Sequence, residues 1–147
     1  MTLAAAGGAG VWLLKDQVLW PAPRRVVGPD SSGWLPFAAP SRDLVALPVA
    51  VGGQPILALL DSGAQYSVID RGFADAQGLQ SALAPPLVAV GMGGGAQVGR
   101  GVSLDLTVGD FAVGDLRAAT LELGPIVRAT GVEVPLILGQ DLLGALA

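Results

Sequence analysis

Residues 44–60 read LVALPVAVGGQPILALL, two apolar runs of strand length on either side of Gly52-Gly53. A Gly-Gly pair supplies the positive φ angles that a tight two-residue turn requires, so the segment predicts a β-hairpin. The chain goes on in the same manner. YSVID (66–70) reads as a further strand, and DRGFADAQGL (70–79) as a short helix with Asp70 as its N-cap and Gly78 as its stop. APPLVAV and AQVGRGVSLDLTV enclose a glycine cluster at 91–95, the arrangement of a hairpin with a glycine-rich tip. VGD occurs at 108–110 and 113–115, on either side of FAV, and both copies read as turns of a meander. ATLEL is a strand, GPIVRATG a loop, VPLIL a last buried strand and GQDLLGALA a terminal helix. Frequent short strands with glycine-rich turns and two small helices predict an all-β domain.

The first 40 residues differ. They hold all three tryptophans (Trp12, Trp20, Trp34) and five prolines (Pro21, Pro23, Pro29, Pro36, Pro40). Residues 1–40 therefore read as an apolar segment followed by a Pro-rich linker or wrapping arm, and residues 41–147 as the folded domain. The opening MTLAAAGGAGVWLL is too short to span a bilayer, and no Lys or Arg precedes it as a secretory leader would require. It reads as a terminal segment packed on the domain, or as the remnant of a membrane anchor with Trp12 and Trp20 near the interface. The compartment stays open; the anchor reading is compatible with a membrane-associated or periplasmic place in a bacterium.

Composition narrows the chemistry. Eight basic and 12 acidic residues give a net charge of −4, and the single Lys and seven Arg are scattered, which argues against a nucleic-acid partner. With no His and no Cys, the chain has no Ser-His-Asp or Cys-His site, no disulfide and no thiolate-bound zinc. Carboxylates, hydroxyls and backbone groups remain, and no metal or cofactor is expected. Asp105, Asp110 and Asp115 recur at intervals of five, but a calcium loop needs denser oxygen ligands and a terminal Glu, so they read as solvated turn and strand residues.

The local signal that stands out is LALLDSGAQYSVID, residues 57–70. Four apolar residues lead straight into Asp61, as if toward an interior where an unpaired charge is costly. Ser62 and Gly63 then allow a tight loop whose N–H groups face the carboxylate, and the Ser62 hydroxyl can add a bond. Alone, Asp-Ser-Gly is more often the pattern of an ordinary Asx-type turn that satisfies its own backbone. Three further elements alter the balance: the glycine cluster around Met92; PLILGQDLL at 135–143, a second apolar strand leading through Gly139 into a helix; and QYSVI after the loop, whose alternation suits a strand lining a cleft.

With these elements in this order, residues 44–143 resemble the retropepsin-like aspartic proteases, the family of retroviral proteases and their bacterial relatives. The resemblance rests on Asp61-Ser62-Gly63-Ala64, the glycine-rich stretch around Met92, and Ile137-Leu138-Gly139-Gln140-Asp141. It implies a closed β-domain with a flap hairpin, one short internal helix and a short C-terminal helix. It also implies half an enzyme: two subunits on a two-fold axis, each contributing one catalytic Asp61. Paired carboxylates cannot both ionise cheaply, so they would share one proton, activate a water against a peptide carbonyl, and favour mildly acid pH. Ser62, Gly63 and Ala64 would support the active-site loop; Gly91, Met92, Gly93 and Gly94 would form the flap tip; Val68, Leu136 and Ile137 would line side-chain pockets. The partners implied are a peptide or protein substrate and a second copy of the chain.

Two departures from the family pattern bear on this. Retroviral members carry an acid at the position of Gln65 and Arg at that of Gln140, an ion pair for which an amide–amide contact is the expected replacement. They also continue beyond the last helix into an interface strand, whereas this sequence ends at Ala147. Residues 1–40 would then supply a substitute interface, or the dimer is weak, or the chain has been shortened. The competing readings are a non-catalytic peptide-binding or dimerisation module, and a membrane-tethered β-domain in which Asp61 only braces a loop.

Overall fold

The computed structural model describes residues 21–28, 30, 34–41, 44–82, 87–90 and 96–146. Among these residues, ten strands and three short helices follow one another as β1 (Arg25–Val27), β2 (Ala38–Ser41), β3 (Leu44–Val51), β4 (Gln54–Leu60), β5 (Val68–Asp70), α1 (Arg71–Ala76), β6 (Leu87–Val90), β7 (Ala96–Gly99), β8 (Gly101–Val108), β9 (Phe111–Leu121), α2 (Gly124–Thr130), β10 (Leu136–Leu138) and α3 (Gln140–Leu146). The hairpin read from the sequence is β3–β4, with Gly52 and Gly53 at φ 56° and 84° in its turn.

Six strands close on themselves. β3 pairs β4, β4 runs parallel to β10, β10 is antiparallel to β5, β5 runs parallel to β9, and β8 joins β9 back to β3. β1 adds to β9, and β2 to the start of β3. Pro48 lies where β3 changes outer partner, between the residues paired with β2 and those paired with β8. Having no N–H, it is tolerated where the outer ladder is interrupted.

Strand alternation makes two apolar faces. Ala58, Ile69, Val102, Leu104, Leu116, Leu136 and Leu138 fill the barrel interior. Leu59 and Ile137 point the other way and pack with Leu123, Val134, Val68 and Ile126. Because Ile126 belongs to α2, this helix covers part of the barrel's outer face.

Three local expectations are corrected. GPIVRATG, read as a loop, forms α2: Pro125 stands in its first turn, Arg128 in its last, and Gly131 ends it at φ 71°. Proline at the start and glycine after the end is the usual polarity of a helix, and Ile126 anchors it to the outer cluster. The second VGD, Val113-Gly114-Asp115, is not a turn but part of β9. The β8–β9 register slips there, Asp115 takes φ 56°, and its N–H is accepted by Asp105 Oδ1 at 2.9 Å, the behaviour of a β-bulge. AQVGRGVSLDLTV is likewise two strands, divided at Arg100.

That division is held by Thr120 of β9, which is fully buried. Its Oγ1 accepts from Arg100 N–H at 3.1 Å and donates to Arg100 O at 3.2 Å. Gly99 comes so near that a Cβ would stand 2.4 Å from Thr120 O. Thr120→Val keeps the shape but strands the Arg100 N–H, so it should cost about 1–3 kcal/mol. Urea denaturation should show a lower midpoint at unchanged slope.

Candidate active site

Asp61 follows the last residue of β4, and its N–H donates to Leu138 O at 3.0 Å, carrying the β4–β10 ladder one step past the strand. The chain then turns at once. Ala64 N–H returns to Asp61 O at 3.1 Å, and Gly63 N–H donates to Asp61 Oδ1 at 2.8 Å. Contrary to the inward direction suggested by the apolar run, Asp61, Ser62 and Gly63 are all exposed in the single chain. The parallel ladder ends at Leu60 and Leu138, so the next residue emerges at the rim of the barrel.

Opposite lies the junction of β10 and α3. Gly139 is wedged so tightly that a Cβ would stand 2.7 Å from Tyr66 C and 2.8 Å from Ala64 O. Gln140 N–H donates to Ala64 O at 2.9 Å, and Gln140 Nε2 to Ser62 O at 2.7 Å. The Gln140 amide thus reaches the loop backbone at Ser62, not the expected Gln65 side chain, which is exposed. Asp141 accepts from Ser67 N–H at 2.9 Å and from Ser67 Oγ at 2.8 Å. Ser67 was not singled out by sequence reading. The signal that could have found it was the paired spacing of Asp61-x5-Ser67 and Gly139-Gln140-Asp141, which becomes informative only once the two loops are known to touch.

The predicted pocket residues separate. Leu136 is enclosed in the main core at 0% exposure, which leaves it a packing role. Ile137 and Val68 face the outer cluster together. They are paired across β10 and β5. Of the hairpin, β6 and β7 are antiparallel, while Gly91, Met92, Gly93 and Gly94 lie outside the described residues. β7 is tied to the body by Arg71 Nη2 donating to Val98 O at 2.9 Å, and by Gln97, whose amide group exchanges two hydrogen bonds with the backbone of Glu122.

A cavity of about 640 Å³ lies elsewhere, between β4, α1 and α2, bordered by Ile56, Phe73, Val127 and Arg128 among others but not by Asp61. Among the described residues, no group of three or more acidic residues is arranged to hold a metal ion. No helix among them is long and apolar enough to cross a membrane, and residues 1–20, on which the anchor reading rests, lie outside them.

The glycines of this region invite a paired test. Gly139→Ala should destabilise the fold by about 1–3 kcal/mol, because the atoms its methyl meets are backbone. Gly144→Ala, in α3 where a Cβ meets nothing within 4 Å, should be neutral or gain up to about 1 kcal/mol. Chemical denaturation of both variants checks the contrast.

Among solved structures, a retropepsin-like aspartic protease from Rickettsia conorii superposes with a TM-score of 0.48 at 12% identity, over 82% of this chain and 78% of that one. No curated protein matches the sequence. The aspartyl protease family model matches residues 47–142, a span running from β3 to α3 that takes in both the Asp61 loop and the Gly139-Gln140-Asp141 junction. The chain belongs to the aspartyl protease family.

Proposed function

We propose that the protein is a homodimeric aspartic endopeptidase in which Asp61 of one protomer works against Asp61 of a second copy. The observation that carries this reading is a lone carboxylate held outward at the rim of the barrel. One oxygen is fixed by Gly63 N–H, and the sequence contains a single Asp-Ser-Gly. A symmetric dimer is the simplest way for a chain with one such loop to present two carboxylates to one substrate. Membership of the aspartyl protease family supports peptide hydrolysis.

The two carboxylates would hold one proton between them. The ionised member takes a proton from a bound water as its oxygen attacks the scissile carbonyl carbon, and the protonated member gives its proton to the carbonyl oxygen. Collapse of the resulting diol returns a proton to the leaving nitrogen and restores the pair. The β6–β7 hairpin would lie over the substrate as a flap. An extended peptide bound by its backbone would place alternate side chains toward apolar surface such as that of the partly buried Val68, which is backed by the buried Ile137.

Three measurements test the reading. Asp61→Asn should lower peptide cleavage by about 10²- to 10⁴-fold, the range associated with a lost general acid or base. Adding excess Asp61→Asn chain to wild type should suppress wild-type activity, as subunits exchange into mixed pairs with one competent carboxylate. Sedimentation over a concentration series should show a dimer where activity is seen; full activity in a strict monomer would refute the shared site.

A further inference from the structure

Three consecutive residues, Gly139, Gln140 and Asp141, all bond the loop that begins at Asp61, Gln140 near its start and the other two at Ser67. Gly139 N–H donates to Ser67 Oγ at 3.2 Å; Gln140 holds Ala64 O and Ser62 O; Asp141 takes both the N–H and the hydroxyl of Ser67. Ser67 is fully buried, and its remaining backbone oxygen accepts from Ala119 N–H at 3.0 Å. It therefore anchors the far end of the loop simultaneously to β9, to the end of β10 and to α3. The Asp141 carboxylate also accepts from Leu142 N–H at 2.9 Å, which orients it within the first turn of α3.

Such a cluster is more than the fold needs to end a strand. The half-buried Asp70 performs that ordinary task, capping α1 through Phe73 N–H and reaching Leu123 N–H. Asp141 instead accepts from both donors, the N–H and the hydroxyl, of one enclosed serine on the segment leading from the exposed carboxylate. We infer that Asp141 and Ser67 form a positioning pair that sets where Asp61 stands, an assignment that rests on the proposed dimeric peptidase. Symmetry makes the demand severe. A displacement of the loop occurs in both protomers, so the gap between the two carboxylates changes by up to twice the shift. Neither residue touches the reacting atoms; their effect passes through the loop backbone.

Ser67→Ala, Ser67→Thr, Asp141→Asn and Asp141→Ala are compared in the full chain by steady-state kinetics and by amide exchange at Gly63, Ala64 and Gln140. Ser67→Ala should lower kcat about 10- to 100-fold, since misplacement of about 1 Å can cost 10²-fold, while KM moves less than about threefold. Ser67→Thr, which keeps the hydroxyl, should restore most of kcat, and Asp141→Asn should fall between wild type and Asp141→Ala. Exchange should quicken at these three amides and stay slow in β8 and β9. Unchanged kcat with only a lowered melting temperature would overturn the assignment, as would a KM effect without a kcat effect. Should Asp141→Ala fail to fold, Ser67→Ala and Asp141→Asn still decide. Should the wild type cleave no peptide, the peptidase reading fails separately, and loop exchange alone decides: faster exchange upholds the pair, unaltered exchange overturns it.

Discussion

The parallel pairing of β4 with β10 is the constraint on which the other features depend. Parallel neighbours require a long crossover, and here β5, the β6–β7 hairpin, the β8–β9 pair and two helices all lie between them in the chain. β10 is inserted between β4 and β5, and without it the ring of six strands would stay open. The same insertion brings Leu138 O to Asp61 N–H and sets Gly139 against Tyr66 and Ala64. Barrel closure and construction of the Asp61 loop are thus one event.

Packing around that strand explains why neighbouring residues have different duties. Leu136 and Leu138 enter the interior, whereas Ile137 between them joins Leu59 and Val68 on the outside. A one-residue slip would exchange these sets and expose the core face, so the register of β10 is held by burial as well as by hydrogen bonds. At Gly139 and Gly99, backbones approach too closely for any Cβ, and the neighbouring atoms are backbone that cannot swing aside.

Polar groups are used sparingly and are satisfied. Among the described residues, no buried side-chain nitrogen or oxygen lacks a hydrogen-bond partner. Thr120 and Ser67, the two buried polar residues among those described, each bind backbone at a place where a strand ends. The ion pairs Arg71–Glu122 and Arg100–Asp75 are exposed and add little net stability. They link helix α1 to the residues just after β9 and β7, locating the hairpin more than stabilising the fold. Asp61 stands apart as an outward carboxylate at the end of an otherwise apolar strand.

The sequence by itself determined what short-range chemistry controls. Gly52-Gly53 specified the first hairpin, Asp70 the cap of α1, and the apolar runs the strands of an all-β domain; Asp-Ser-Gly-Ala and the Leu-Gly-Gln-Asp element marked the two loops of the candidate site. Where local signals competed, reading by pattern failed: Pro125 and Gly131 bounded a helix that looked like a loop, and Gly114-Asp115 made a bulge that looked like a turn. Only the tertiary structure decided which strands were neighbours, that Leu136 belongs to the core, that Gln140 holds Ser62, and that Asp141 finds Ser67. These contacts join residues 74 to 78 positions apart, and no local propensity encodes them. They exist because closing the barrel is the way this chain buries the interior faces of its six ring strands at once.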